Sequence, residues 1–200
     1  MRATFCLVAA LSATLAQAAS PARERPPVRV GMIVSCGQQL DAAAARAFER
    51  ETERLMDPAG VVLEWRAIPR SNFDESFDRV VVVDCRPPAQ PPAARTALAI
   101  THISNGQVLP FVRLDIGAVS GMLGSTRQSE LPRALARVAA HELHHVLTGS
   151  TVHDSTGITK PVFSRSDLLS GSFCLSTAAA ARLRASLYPA APLAASAGEE

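Results

Sequence analysis

The sequence predicts an α+β fold, and three observations support this prediction. Residues 28–84 show a strand, helix, strand, strand pattern, in which short β-branched runs flank one alanine-rich helical segment. The Asn105-Gly106 pair between two further apolar runs indicates a β-hairpin. The last third of the chain has helical periodicity at about residues 130–148 and again at about 164–187.

The first four elements follow from local composition. Residues 28–34 and 61–66 are rich in β-branched and apolar side chains, as strands are. Residues 80–84 are apolar almost throughout, which predicts a strand at the centre of a sheet. Residues 40–56 form the helix, and Asp57-Pro58 ends it.

The hairpin should consist of strands at residues 97–103 and 108–114. Pro110 has no backbone N–H, so its part of the hairpin is expected at a sheet edge or a bulge. His102 lies on the first strand, where a lone histidine is more often structural or exposed than a cleft residue. Residues 117–129 are rich in glycine and serine and predict a loop.

The chain divides into four predicted segments. Residues 1–19 have a charged start, an apolar middle and a small-residue cleavage site, as a signal peptide does. Residues 20–27 form a Pro/Arg linker, residues 28–188 a single domain, and residues 189–200 a tail expected to be disordered. The protein is therefore expected to be secreted or periplasmic, and its alanine and arginine richness suggests a GC-rich bacterial genome.

Charge and hydropathy exclude several classes of partner. The formal net charge is +2, and the basic residues are scattered, which argues against a nucleic-acid partner. No run of about 20 apolar residues free of charge is present, so we expect no membrane span. We expect a monomer.

The helix at about residues 130–148 carries the pattern His141-Glu142-Leu143-His144-His145. Two histidines four positions apart stand one above the other on a helix, so both imidazoles can bind one Zn²⁺. Glu142 projects about 100° away from His141 and is the candidate general base that activates a water. His144 falls on the opposite side of the helix and is predicted to face solvent.

The third zinc ligand is approached by elimination. After His145 the acidic residues are two aspartates and the terminal Glu199-Glu200, which lie in an alanine-rich tail. Gly149 offers a left-handed helix end that would turn the chain back, so that His153 passes the metal. His153 is the favoured ligand, with Asp154 and Asp167 as the alternatives, although Asp167 also fits a capping pattern with Ser164.

The sequence from His141 through Gly149 to His153 resembles the metzincin branch of the zincin metalloproteases. It is more similar still to a group of secreted bacterial proteins with the same spacing, in which a Gly-Ile-Met and an aromatic residue follow. Here that stretch reads Gly157-Ile158-Thr159 and then Phe163. His153 is eight rather than the usual six residues after His145, and Thr159 stands where the family's methionine is expected.

The resemblance implies a zincin-like single domain with a mixed, mostly parallel sheet, an edge hairpin, an active-site helix and a C-terminal helix. The hairpin at residues 97–114 is the candidate for the edge that holds an extended peptide above the active-site helix. The implied activity is that of a secreted zinc-dependent metalloendopeptidase with Glu142 as general base and Zn²⁺ as cofactor. Its metal ligands would be His141, His145 and His153.

Two other functions stay open at the level of sequence. An exported zinc-binding or partner-binding protein could keep a degenerate, non-proteolytic site of this kind. Alternatively, the helix histidines could bind no metal. Metal content distinguishes a protein that binds no metal from the other two candidates. Activity that depends on Glu142 distinguishes the metallopeptidase from the non-proteolytic zinc-binding protein.

Three cysteines remain after removal of the signal peptide, which contains Cys6. An odd number allows at most one disulfide within the chain. Cys36 and Cys85 each follow a predicted strand, so a bridge between neighbouring strand ends is one pairing. Cys36 with Cys174 is the other.

Overall fold

A computed structural model describes residues 26–36, 40–67, 76–86 and 97–188. The predicted signal peptide, residues 20–25 of the linker and the C-terminal tail lie outside the described residues.

The described strands form one five-stranded sheet with the order β2-β1-β3-β5-β4. The neighbouring pairs β2-β1, β1-β3 and β3-β5 are parallel, and β4 runs antiparallel to β5 at one edge. The predicted α+β architecture with a mixed, mostly parallel sheet and an edge hairpin is therefore confirmed. The strands are β1 (Val28–Ser35), β2 (Val61–Ala67), β3 (Arg79–Arg86), β4 (Ala99–Ser104) and β5 (Gln107–Asp115).

Within the described ranges five α-helices accompany the sheet, and short 3-10 segments follow the first and second of them. Asp41 caps the first helix by accepting from the N–H groups of Ala43 and Ala44. None of the helices in the described ranges has the length and apolarity that crossing a membrane requires. The helices are α1 (Ala42–Met56), α2 (Ile116–Leu123), α3 (Leu131–Thr148), α4 (Arg165–Leu169) and α5 (Thr177–Leu187).

The hairpin turn matches its sequence signature. Asn105 and Gly106 have φ values of 50° and 75°, the left-handed conformations that a two-residue hairpin turn requires. The pairing of β4 with β5 shifts between Thr101 and Ile103, and Pro110 lies in the irregular part of β5. The expectation that Pro110 stands at an edge or a bulge is confirmed.

Two expectations for the helices were wrong. Residues 117–129, predicted as a loop, contain most of α2, because Ile116, Val119 and Leu123 bury one face and Asp115 caps the helix. The predicted helix at residues 164–187 is two helices, since the chain leaves helical geometry at Ser170. Glycine and serine content misled the first prediction, whereas the second overlooked the break signal of Ser170-Gly171-Ser172.

The surroundings of α3 also differ from expectation. The helix packs against β4 and β5 on one side and against α1, α4 and α5 on others. His144, predicted to face solvent, is only 2% exposed, and Arg137, placed on the same side, is 1% exposed. Their side is covered by other helices, which the periodicity of α3 alone cannot reveal.

Cys36, after β1, and Cys85, in β3, form a disulfide, and Cys174 is free and exposed. The two strands are parallel neighbours, which brings the Cα atoms of these cysteines to 4.9 Å. Of the two predicted pairings, Cys36 with Cys85 is therefore the one that forms. The bridge ties the end of β1 to that of β3.

Replacing both Cys36 and Cys85 by serine is expected to lower the free energy of unfolding by about 2–4 kcal/mol, because the bridge spans a sequence separation of 49 residues. Urea denaturation followed by circular dichroism measures this loss. The matched control is Cys174→Ser, which should stay within about 0.5 kcal/mol of the wild type. An equal loss in the control and the double variant would contradict the prediction.

Candidate metal centre

Helix α3 and the segment that follows it bring three histidines together. His141 and His145 lie one helical turn apart at the C-terminal end of α3. The helix ends at Gly149, which has a φ of 63°, and whose N–H donates to the carbonyl of His145. This left-handed end reverses the chain, as the sequence predicted, and returns His153 to the histidines of the helix.

The Nε2 atoms of the three histidines point toward one another. His145 Nε2 lies 3.0 Å from His141 Nε2 and 3.2 Å from His153 Nε2. One ring nitrogen of each residue lies within 4.8 Å of those of the other two, so the group could hold a metal ion. We call His141, His145 and His153 the histidine group.

Backbone carbonyls define the tautomers of two of these rings. His141 Nδ1 donates to the carbonyl of Ile158, and His145 Nδ1 donates to the carbonyl of Ser150, both at 2.7 Å. A carbonyl oxygen can only accept, so Nδ1 carries the proton and Nε2 presents a lone pair. This is the arrangement in which protein carbonyls orient metal-binding histidines.

Burial favours the neutral form of two members of the histidine group, His141 and His153. It lowers the pKa of His141 to about 4, although the hydrogen bond to Ile158 opposes that effect. Partial burial is the main cause of the lowered pKa of His153, although that side chain is largely exposed. Neutral imidazoles are the form that binds metal, so no proton has to be displaced from these two rings near pH 7.

The spacing of the nitrogens suits a tetrahedral ion. Zinc binds imidazole nitrogen at about 2.0–2.1 Å, which puts two ligands at a tetrahedral angle about 3.3 Å apart. The two Nε2–Nε2 separations from His145, 3.0 and 3.2 Å, lie close to that value. Three inward lone pairs repel one another unless a cation lies between them, so the donor set fits zinc.

Glu142 lies beside the histidine group and is 8% exposed. Its Oε2 accepts a hydrogen bond of 2.5 Å from the hydroxyl of Thr101 on β4. Burial raises the pKa of Glu142, and the hydrogen bond from Thr101 opposes this shift. A carboxylate with a raised pKa is better matched to accepting and returning a proton near neutral pH.

Thr101 is the site residue that sequence reasoning missed. Its neighbour His102 was considered for the cleft, but His102 does not line the cavity described below. Thr101 pairs with Val112, which is buried beneath α3, so cross-strand neighbours on one face put Thr101 on the helix side. The alternation of side chains between the two faces of the hairpin is the sequence signal that could have placed Thr101 on the helix side.

The two alternative ligands, Asp154 and Asp167, form hydrogen bonds and ion pairs with other residues. Asp154 Oδ2 accepts from the hydroxyl of Thr159 at 2.6 Å and also from Arg182. Asp167 caps α4 through Ser164 and pairs with Lys160. Neither aspartate belongs to the histidine group.

Comparison with solved structures finds a similar chain, archaemetzincin from Methanopyrus kandleri, at a TM-score of 0.53. The similarity covers 82% of this chain and 97% of that one, at 10% sequence identity. This protein has a zincin-like fold. No protein-family model matches the sequence, and neither does any curated protein sequence.

Within this zincin-like fold, Thr159 occupies the position where the metzincin resemblance places a methionine. Thr159 is 1% exposed. Its hydroxyl donates to Asp154, and its carbonyl accepts from the N–H of Asp154 at 2.9 Å. Two hydrogen bonds thus hold the segment beneath the histidine group and support the residue next to His153.

A cavity of about 550 Å³ opens in front of the histidine group. Glu142 and the three histidines line one wall, and β4 lines another through Ala99, Ile100 and Thr101. Phe163 packs edge-on against the ring of His141, at 5.3 Å between centroids. The remaining lining is mainly apolar and includes Leu98, Met122, Val138 and Val162.

His144 takes no part in the histidine group. Neither of its ring nitrogens has a hydrogen-bond partner among the described residues. Burial is the main reason that its pKa is lowered to about 4. In the zincin-like fold this residue belongs to the packing behind the site rather than to the site.

Proposed function

We propose that this protein is a secreted zinc-dependent metallopeptidase that hydrolyses peptide bonds. The observation that supports this most directly is the convergence of three histidine nitrogens next to a buried glutamate, in a cleft bordered by an edge strand. The name of the similar solved structure, archaemetzincin, agrees with the family that the motif resembles.

In this proposal His141, His145 and His153 hold Zn²⁺ through Nε2. The ion is zinc rather than magnesium or calcium, because an all-imidazole donor set suits zinc, whereas those ions prefer oxygen ligands. When bound, zinc would supply a Lewis acid that polarises the scissile carbonyl and acidifies water. The carbonyls of Ile158 and Ser150 keep the first two rings oriented for this task.

Glu142 moves the proton. Its carboxylate takes a proton from the attacking water and then returns it to the nitrogen of the leaving amine. Burial favours this role, because a base whose pKa is raised can also act as the acid in the second half of the reaction.

The substrate in this proposal is an extended peptide that lies along β4. That strand is one of the two edges of the described sheet, so its outer backbone groups can pair with a peptide strand. The apolar cavity walls formed by Leu98, Met122 and Val138 suit an apolar side chain near the scissile bond. The Cys36–Cys85 disulfide supports export to an oxidising compartment, which the predicted signal peptide would direct.

One observation favours a second function. Thr159 replaces the methionine expected beneath the metal, and a change at this position is compatible with an exported zinc-binding protein that does not cleave peptides. Zinc content alone does not distinguish the two functions. Hydrolysis that depends on Glu142 does.

The decisive first measurement is elemental analysis of the purified mature protein. We expect close to one zinc per chain, and we expect His153→Ala to lose most of it. Asp154→Asn removes the charge of the alternative ligand and should retain zinc. His102→Ala, which removes a histidine outside the cavity, is the matched control and should also retain it.

Removal of the metal tests the activity. Dialysis against a chelator is expected to abolish cleavage of a quenched fluorescent peptide, and stoichiometric zinc should restore it. Absence of zinc from the protein after supplementation would contradict the peptidase proposal. Zinc binding without cleavage of any peptide in a mixed library would favour the second function.

A further inference from the structure

Thr101 and Glu142 are 41 positions apart in the chain, yet their side chains form a hydrogen bond of 2.5 Å. We infer that Thr101 is a positioning residue that holds the Glu142 carboxylate in the orientation needed for proton transfer. This inference rests on the proposed function, because it assigns Thr101 to the same site. It goes beyond that function by coupling the base to the strand proposed to bind the peptide.

The first step in the argument is the placement of Thr101. Its partner across the hairpin, Val112, is 2% exposed and lies on the sheet face that packs under α3. Neighbours across a strand pair share a face, so the hydroxyl of Thr101 points toward the helix. The pairing of β4 with β5 is interrupted after Thr101 and resumes at Ile103, and irregular pairing of this kind is common beside active sites, where it redirects side chains.

The second step concerns the freedom of the glutamate. A glutamate side chain has three rotatable torsions, and its terminal torsion is broad. The hydrogen bond from the Thr101 hydroxyl to Oε2, which adds to a hydrogen bond from the Thr101 backbone, restricts that freedom and fixes which oxygen faces the neighbouring histidine group. A buried carboxylate also requires a donor, because leaving it without one is costly.

The third step is the choice of a hydroxyl as the partner. A threonine hydroxyl can donate and accept, so it can keep a hydrogen bond whether Glu142 is ionised or protonated. A cation in the same place would stabilise only the carboxylate and would oppose protonation. Thr101 therefore orients the base without preventing it from carrying the proton.

The geometry also links substrate binding to the base. Ala99, Ile100 and Thr101 line the same cavity as Glu142. A peptide strand that pairs with β4 would lie against the segment whose side chain holds the carboxylate. Loss of the Thr101 hydroxyl would misplace the base but would leave the backbone of β4 that pairs with the peptide, so the effect of Thr101 should appear in kcat more than in KM.

The test compares Thr101→Val with Thr101→Ser. Valine has nearly the same shape but no hydroxyl, whereas serine keeps the hydroxyl and lacks the methyl group. We expect Thr101→Val to lower kcat for peptide cleavage about 10- to 100-fold with KM within about twofold of the wild type. Thr101→Ser should recover kcat to within about threefold, and zinc content should be equal in all three proteins.

A second readout does not depend on turnover. Binding of a peptide hydroxamate to the zinc-loaded protein is measured by calorimetry, because the hydroxamate delivers a proton to an adjacent base when it binds. Thr101→Val should weaken this binding about 5- to 20-fold, and Thr101→Ser should restore it. A purely structural role predicts the opposite order, because valine favours a strand more than serine does.

The outcomes separate this inference from the proposed function. If the wild type cleaves peptides and Thr101→Val matches it in kcat, the inference is overturned and the proposed function stands. If the wild type cleaves nothing, the proposed function fails, and hydroxamate binding alone decides the role of Thr101. Equal binding by the wild type and Thr101→Val, or no binding by the wild type, overturns the inference.

Discussion

Glu142→Gln is expected to lower kcat for peptide hydrolysis about 10²- to 10⁴-fold while the protein keeps its zinc. Glutamine has nearly the same size and can still accept a hydrogen bond from Thr101, so the fold and the histidine group should persist. It cannot take up a proton from water near neutral pH. The loss would therefore measure proton transfer rather than structure.

The measurement combines steady-state kinetics on a fluorescent peptide with elemental analysis of the same preparation. Glu130→Gln is the matched control, because Glu130 lies at the opposite end of the same helix in a surface ion pair with Arg133. Its activity should stay within about twofold of the wild type. Retention of more than about a tenth of the activity by Glu142→Gln would exclude Glu142 as the general base.

Arg137→Met is expected to lower the free energy of unfolding by about 3 kcal/mol. Arg137 is 1% exposed and pairs with Glu51 at 3.1 Å. It also donates to the carbonyls of Asp167 and Leu168 at the end of α4. Methionine fills a similar volume but leaves these three acceptors without their buried donor.

The expected loss is at the lower end for a broken buried ion pair, because Glu51 keeps a second partner in Arg54. Arg133→Met is the matched control one turn earlier on α3. Its arginine forms a surface pair with Glu130, which contributes less than about 1 kcal/mol. Urea midpoints measure both variants, and a loss in Arg137→Met no larger than in Arg133→Met would show that the buried contacts are not stabilising.

Much of the fold could be predicted because it depends on local patterns. The β-branched runs became β1, β2 and β3, and the Asn105-Gly106 turn placed β4 against β5. The errors fell where local composition and tertiary packing disagree. Helix α2 forms from a glycine- and serine-rich stretch because its apolar side chains find a buried surface, and that surface is built by distant residues.

The candidate site also has a part that local sequence predicts and a part that depends on tertiary packing. Helix geometry alone puts His141 and His145 on one side of α3, and Gly149 predicts the reversal that brings back His153. Elimination left Asp154 and Asp167 as alternatives, and the structure shows both bound to other partners. A sequence read one segment at a time cannot show which polar groups are already satisfied.

The sequence by itself determined the strands, the hairpin and the spacing of the histidine motif, because those depend on residue types and on spacing along a single element. Only the tertiary structure decided that Thr101 bonds to Glu142, that Arg137 and His144 are buried, and that Cys36 pairs with Cys85. Each of these depends on segments far apart in the chain that packing brings together. Local periodicity specifies which face of a helix is apolar, but it does not specify how many of its faces other elements will cover.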